Sequence, residues 1–428
     1  MKFAMVNPAW SFEGSIYFGC QEPHYPLELL FGRQKLEQAG HECLVLDAQL
    51  RQMPVDEVRA KISSFDPDFL VIPTAPSYLF WRCPPPELRI PRSWFAALDC
   101  GAVKVAIGPH SSATPTATLR KLDCEVVIRG EPDQVLPQLA GRAWSEIDGC
   151  CWREDGKTHL SSALAVTDMR KLATLDFSGY DVEARTHRHH VFSGRGRGAE
   201  LEFARGCPWA CSFCNKTLFR NKYRERDVDA VLNEIDQLIA RGVDYVYFID
   251  EIFGVGKNVL RLLEEIAKRP ITIGLQTRID LWNEQTLELL GRAHCISMEC
   301  GIESITDEGR DQLNKGCRIT TERLTQLLTD ARRYIPWVQA NLILTEQDRR
   351  EDVMQWQDAL KSKGVWVSDP VPMFPFPGTP KYLEIFGPPD DYAWERAHHH
   401  YTRAFREKGY SDIQESRPVP LEDLECIS

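Results

Sequence analysis

Hydrophobic and polar positions fall into two blocks in which short β-rich runs alternate with stretches of helical spacing. In the first block, residues 3–6, 42–46, 69–72, 104–107 and 125–128 read as strands, and 27–38, 55–63 and 134–139 read as helices between some of them. Strands separated by helices require right-handed crossovers, so residues 1–140 predict a parallel sheet covered on both faces. Ligands of such a sheet sit at the carboxyl ends of its strands. Those ends carry Asn7-Pro8, Asp47, Pro73-Thr74-Ala75, Gly108-Pro109-His110-Ser111-Ser112 and Arg129-Gly130-Glu131.

The second block restarts the rhythm, with strands predicted at 200–204, 245–249, 272–276, 295–299, 338–344 and 365–367 and helices at 228–241, 257–268, 284–292, 321–334 and 349–363. Six such units make an open three-quarter barrel over residues 199–387, with its chemistry at the carboxyl ends of the strands. Residues 141–198 are polar and turn-rich and read as an interdomain linker carrying a small hairpin near 148–157. Cys150 and Cys151 are adjacent there and point to opposite faces of a strand, which predicts one buried and one exposed thiol. Residues 388–428 read as a C-terminal extension, helical through His400 and Phe405 and without a motif beyond.

Composition narrows the class. The 428 residues are 43% hydrophobic and 26% charged, values of a globular chain of two or three domains. A net charge of −11 makes nucleic acid a poor partner. No apolar stretch approaches the roughly 18 residues of a membrane helix, and Met1–Pro8 lacks the form of a signal peptide, so a soluble, cytoplasmic protein is expected. Fourteen cysteines are too dilute for a disulfide scaffold and ample for metal chemistry in a reducing compartment.

Directly after the first barrel strand comes Arg205-Gly206-Cys207-Pro208-Trp209-Ala210-Cys211-Ser212-Phe213-Cys214. A structural zinc site wants four ligands, whereas a 4Fe-4S cluster held by three cysteines keeps one iron open. The CxxxCxxC spacing, Phe213 before the last cysteine and the position after strand one resemble the radical SAM superfamily. The resemblance implies a 4Fe-4S cluster on Cys207, Cys211 and Cys214, S-adenosylmethionine on the open iron, and an electron donor of flavodoxin or ferredoxin type. It also implies SAM contacts from Phe213, from Asp250 and Glu251 after the second strand, from Arg278 after the third, and from Glu303 and Ser304 after the fourth. Pro377-Gly378-Thr379-Pro380 after the last strand matches an ending common in the cobalamin class.

The first block resembles the cobalamin-binding domain fused upstream of many superfamily members. The implied fold is α/β, a Rossmann-like cobalamin-binding-type domain followed by a partial (β/α)6 radical SAM barrel. Two departures stand out. Asp47-Ala48-Gln49 lacks the histidine of an Asp-x-His-x-x-Gly ligand signature, which marks the domain as degenerate and counts against cobalamin as a third cofactor. Residues 343–349 replace the Gly-Leu-Pro-Gly-Glu segment of relatives. These departures and the spare cysteines resemble the arsinothricin-forming subgroup, which implies transfer of the 3-amino-3-carboxypropyl group of SAM to trivalent arsenic, giving hydroxyarsinothricin. Cys300, Cys150 and Cys151 are then the candidate thiols for a thiophilic substrate. Two other readings stay open: a cobalamin-dependent radical SAM methyltransferase of natural-product biosynthesis, and a zinc-stabilised binding protein without redox chemistry.

Overall fold

The computed structural model describes residues 1–11, 23–77, 85–184, 196–220 and 222–407. In chain order the first part comprises β1 (Lys2–Asn7), α1 (Leu27–Gln38), β2 (Glu42–Asp47), α2 (Ala48–Arg51), α3 (Val55–Phe65), β3 (Phe69–Pro73), α4 (Arg89–Ala97), β4 (Val103–Ile107), α5 (Pro109–Ala113), α6 (Pro115–Lys121), β5 (Val126–Ile128), β6 (Cys150–Glu154) and β7 (Lys157–Leu160). They form one sheet of order β2-β1-β3-β4-β5-β6-β7, parallel through β5. Phe3, Met5, Val71 and Val105 enter the core on one face, and Ala4, Val6, Leu70 and Ile72 enter the other. This is the double coverage that the apolar runs require.

Three expectations are corrected here. The hairpin β6–β7 does not stand apart as a linker; β6 pairs antiparallel with β5 and extends the sheet. Cys150 and Cys151 do point to opposite faces, but both faces are covered, so both thiols are buried. The helix read at 134–139 shrinks to a 3-10 turn over Leu136–Gln138, because Pro137 contributes no backbone donor.

The second part comprises β8 (Gly198–Leu201), β9 (Ala204–Arg205), β10 (Arg224–Glu225), α7 (Val228–Ala240), β11 (Tyr245–Phe248), α8 (Asn258–Ile266), β12 (Thr272–Thr277), α9 (Glu284–Arg292), β13 (Cys295–Glu303), α10 (Asp307–Gln312), α11 (Thr321–Ala331), β14 (Trp337–Leu342), α12 (Arg350–Lys361), β15 (Trp366–Val367), α13 (Pro380–Phe386) and α14 (Ala393–Glu407). Its six-stranded parallel sheet runs β15-β14-β13-β12-β11-β8. Caps set the helix starts: the Asp227 carboxylate accepts from the N–H groups of Asp229 and Ala230, and Asn283 with Thr286 forms a capping box.

One face of this sheet, with Leu201, Val246, Leu275, Met298, Ala340 and Val367, packs in a core shared with the helices. The other face is polar and concave. From β11 the Tyr247 hydroxyl donates to Glu299 Oε1 on β13 at 3.1 Å, and Tyr245 Oη lies 3.4 Å from Ser297 Oγ. Both reach over β12, which lies between, and they can do so because Gly274 has no side chain; a Cβ there would collide with the Tyr245 hydroxyl and Ser297 Oγ. Gly274→Ala is therefore expected to destabilise the barrel by about 1–3 kcal/mol, read as a lower urea midpoint, while Tyr245→Phe in the same background should recover part of the loss.

The two parts share elements. In α1, Leu29 and Leu36 belong to the first core while Leu27, Leu30 and Phe31 belong to the barrel core. Near the C-terminus, Phe374, Phe376, Tyr382, Trp394, Tyr401 and Phe405 form an aromatic cluster. The Trp394 indole donates to Thr114 Oγ1 at 3.0 Å and Lys121 pairs with Glu395 at 2.5 Å, so the described extension clasps the first sheet's α5 and α6. Its end beyond Glu407 lies outside the described residues. Among the described residues no helix is long and apolar enough to cross a membrane.

Candidate active site

The cysteine loop is an excursion closed at its base by antiparallel pairing of β9 with β10, Arg205 opposite Arg224. It opens on Gly206 at φ +83°, where a Cβ would strike the Lys222 and Arg220 carbonyls, so only glycine fits. Cys207 N–H then donates to the Arg220 carbonyl at 3.2 Å, Cys214 N–H to the Cys211 carbonyl at 3.1 Å, and Ser212 N–H to the Leu313 carbonyl at 2.9 Å. Lys216 threads back, its ammonium donating to the Cys207 carbonyl at 2.7 Å and to the Trp209 carbonyl.

Burial raises all three thiols, Cys214 to about 12, with Cys211 adding to the rise at Cys214. A metal must therefore supply the driving force for deprotonation. Lys315, Arg278 and Lys216 act in the opposite direction at Cys211, and this cationic surround compensates the charge of three thiolates. Three half-exposed thiols on one pinned loop, with lysine and arginine charges acting on Cys211, are by donor chemistry the ligand set of an anionic cluster with one iron left open, although among the described residues no three such side chains stand close enough to hold a metal ion as they are.

The residues predicted to contact SAM also make bonds within the protein. The Asp250 carboxylate accepts from the N–H groups of Phe203 at 2.8 Å and Ala204 at 3.0 Å, and burial pushes its pKa well up. Glu251 accepts from Gly206 N–H at 2.7 Å and from Arg220 at 2.6 Å. Both carboxylates thus brace the chain that leads into the cysteine loop. Arg278 grips Asp280 at 3.0 and 2.7 Å, donates to the Lys315 carbonyl at 2.5 Å and lies 4.3 Å over the Trp209 ring. Its three nitrogens each donate one hydrogen bond inside the protein. The Ser304 hydroxyl is buried and donates to Asp348 at 2.8 Å, tying the ends of β13 and β14 together where relatives carry Gly-Leu-Pro-Gly-Glu. Glu303, at φ +69°, pairs with Lys315 at 3.1 Å beside the loop, and Phe213 is half-buried within it.

Cys300 faces away from the mouth, fully buried in the barrel core with its thiol pushed up by burial. With Cys150 and Cys151 in the two cores of the first sheet, the candidate thiophilic set does not converge.

Other residues were missed. Asn215 is fully buried with neither side-chain amide atom hydrogen-bonded, directly after the third cysteine. Its place beside Cys214, and Lys216 after it, was the available signal. Between the two parts lies a buried ion network. Arg205 bonds Asp133 at 2.6 and 3.2 Å and Glu202 at 2.7 Å. Arg220 reaches Glu131 at 3.3 Å and Glu202 at 3.2 Å, and Arg224 binds Glu131 at 2.6 and 2.9 Å. Burial would raise Glu131, but Arg224, Arg205 and Arg220 hold it at about 2. The carboxyl end of the first sheet, just past β5, is thereby fastened to the base of the cysteine loop.

That edge has the character of a ligand site. Thr74 Oγ1 after β3 and Ser111 Oγ after β4 are buried without a hydrogen-bond partner, and Ser112 Oγ accepts from Gly130 N–H at 2.9 Å to hold two edge loops together. Asp47 accepts from Asn7 at 2.8 Å, from Leu50 N–H at 3.1 Å and from the Tyr180 hydroxyl, so it is a structural carboxylate. His110 packs tilted against Trp394, with ring centres 4.2 Å apart, and burial lowers its pKa to about 3.

Glu28 of α1 accepts from the Ser77 hydroxyl in the same interface. Burial pushes its carboxyl to about 7 against that hydrogen bond, with Glu202 adding to the rise. Because folding raises this pKa, the contribution to stability is full below the unfolded carboxylate value and is lost as pH climbs through about 7. Glu28→Gln is expected to flatten this slope, so that wild type loses about 2–6 °C of melting temperature relative to the variant between pH 5 and 8; parallel melting curves would contradict it.

Comparison with known proteins agrees with this geometry. The radical SAM superfamily model matches residues 201–356. An anaerobic magnesium-protoporphyrin IX monomethyl ester cyclase of Rubrivivax gelatinosus is 28% identical over 348 residues, covering 77% of this chain and 60% of that protein. An uncharacterized methyltransferase of Pyrococcus horikoshii is 23% identical, covering 89% of this chain and 82% of its own. This chain thus spans about three fifths of the cyclase. Among solved structures, TsrM of Kitasatospora setae, a radical SAM methyltransferase with tryptophan substrate and a SAM analogue bound, superposes with a TM-score of 0.71 at 18% identity, covering 90% of this chain and 75% of that one. The cobalamin-dependent radical enzyme OxsB with aqua-cobalamin and SAM bound gives 0.71 at 14%, covering 95% and 67%. These likenesses show the fold, a Rossmann-like domain set on a partial barrel. Residues 201–356, which carry the pinned three-cysteine loop, form a domain of the radical SAM superfamily of enzymes.

Proposed function

We propose that this enzyme is a methyltransferase of the cobalamin-dependent radical SAM type acting on a small molecule, with electrons supplied by a flavodoxin- or ferredoxin-like donor. The observation that carries the reading is the ion network through Glu131, Asp133, Arg205 and Arg220. It holds the ligand edge of the first sheet against the strand that feeds the cysteine loop. Such an arrangement serves a reaction that uses two cofactor sites at one interface. Cys207, Cys211 and Cys214 would hold the 4Fe-4S cluster, whose open iron binds SAM and whose electron cleaves it. Lys216, Lys315 and Arg278 offset the cluster's charge, while Asp250 and Glu251 fix the loop's backbone. Thr74, Ser111 and the Gly108 and Gly130 loops would hold a corrinoid, which supplies a transferable methyl group. The missing Asp47-Ala48-Gln49 histidine leaves this chain to hold it without a histidine from that signature.

The arsenic-directed aminocarboxypropyl transfer loses its footing with Cys150, Cys151 and Cys300 in apolar cores. The test is anaerobic purification with hydroxocobalamin present, followed by product analysis. About one corrinoid per chain, with S-adenosylhomocysteine and 5′-deoxyadenosine as products, is expected. A corrinoid-free protein that releases 5′-methylthioadenosine when given arsenite would replace this reading with aminocarboxypropyl transfer.

A further inference from the structure

The concave face of the barrel sheet carries an uncommitted hydrogen-bonding surface. The register sets Gln276, Glu299 and Gln339 side by side on β12, β13 and β14, and one row nearer the mouth Gly301 pairs with Asn341. The Gln339 amide donates to Asn341 Oδ1 at 2.7 Å and accepts from the Trp337 indole at 3.3 Å. The Gln276 side chain makes no hydrogen bond to a described residue, and the Asn341 amide nitrogen makes none either. Both are half-buried. Above Gly274 the space is taken by the Tyr245 hydroxyl and Ser297 Oγ, and above Gly301 by Glu303, so the free amide groups of this face are those of Gln276 and Asn341.

This surface leads to the cysteine loop. A Cβ on Gly301 would collide with Glu303 Oε1 and lie 3.6 Å from Lys315 Nζ, and the Lys315 charge acts directly on Cys211. The Asn341 row is thus the rim of the concave face nearest the cluster.

We propose that Gln276, Gln339 and Asn341 form the floor of the substrate site, and that the substrate is a small polar molecule carrying both hydrogen-bond donors and acceptors, of the amino-acid or nucleoside kind. The inference rests on the radical SAM methyltransferase reading and adds its substrate class. An apolar polycycle such as a hopanoid, named for one curated relative, would leave the Gln276 amide and the Asn341 amide nitrogen buried and unsatisfied, at about 1–3 kcal/mol each. A substrate with matching donors and acceptors satisfies them, and a site built to hydrogen-bond rejects an analogue that cannot.

The test is calorimetric titration of the cluster-loaded full chain with SAM present. The probes are the twenty proteinogenic amino acids, the four ribonucleosides, a hopene and magnesium-protoporphyrin monomethyl ester. At least one amino acid or nucleoside is expected to bind, and Gln276→Leu and Asn341→Leu should each weaken it tenfold or more while iron content and the reduced cluster's EPR spectrum stay unchanged. Binding by no polar probe, equal binding by both variants, or tighter binding of the hopene or porphyrin ester than of any polar probe overturns the proposal. Because the readout is binding, the corrinoid content and the SAM-derived products of the wild-type protein test the methyltransferase reading separately.

Discussion

Cys211→Ala is expected to fold and to come out of an anaerobic purification colourless, with less than one iron per chain where the wild-type protein holds about four. The cluster must be gripped by three thiolates from one loop, and two cannot hold it against loss of iron once the third corner is open to water. The fold should persist because the loop does not depend on the thiol. Its shape comes from the Gly206 turn, the bonds of Cys207 N–H to the Arg220 carbonyl and Ser212 N–H to the Leu313 carbonyl, and the Lys216 ammonium on two loop carbonyls. Circular dichroism and the melting temperature of the apo forms should therefore match, while SAM cleavage vanishes. The comparison variant is Cys300→Ala. That thiol lies fully buried in the barrel core, so its loss costs about 1–2 kcal/mol of stability and leaves iron and turnover in place. Full iron in Cys211→Ala, or loss of iron in Cys300→Ala, would reverse the two assignments.

Asp133→Ala is expected to cost about 3–5 kcal/mol and to lower cluster occupancy, although the residue lies in the first domain, far from the cysteines in sequence. Its carboxylate takes two hydrogen bonds from Arg205 and one from Thr167 Oγ1 at 2.9 Å, all away from water. Removing it leaves the Arg205 guanidinium buried with Glu202 and the more distant Glu131 as its remaining acidic partners. Arg205 immediately precedes Gly206 and pairs with Arg224 at the base of the loop, so its displacement moves the first cysteine. Asp133→Asn keeps the shape with weaker bonds and should fall between alanine and wild type in both urea midpoint and iron per chain. A double-mutant cycle with Arg205→Met should show a coupling energy of at least about 1 kcal/mol. Additive losses would mean that the Asp133–Arg205 pair does not couple the two domains.

Much of this molecule is legible from its linear pattern. Residues 27–38 and 284–292 form helices with the bounds their periodicity predicts, and the strands near 69–72, 245–249 and 272–276 lie within a residue of their apolar runs. The cysteine spacing singled out the three-thiol loop because its thiols are local, four and three residues apart. Local spacing could not reveal the partner of a charged side chain. Asp250, Glu251 and Arg278 stand where SAM contacts are expected, yet their strongest bonds go to the backbone and arginine of the cysteine loop, to a neighbouring aspartate and to the Lys315 carbonyl.

What the sequence by itself determined is therefore the succession of buried strands, the two-part architecture and the three-thiol loop, all of which follow from short-range periodicity and spacing. Tertiary structure decided the rest: that both thiols of the Cys150-Cys151 pair are covered, that the hairpin completes the first sheet, and that Glu131 and Asp133 belong to the barrel's cysteine loop. The physical reason is common to all three. Burial and charge pairing depend on which surfaces meet, and a side chain's neighbours across an interface are set by chain segments tens of residues away.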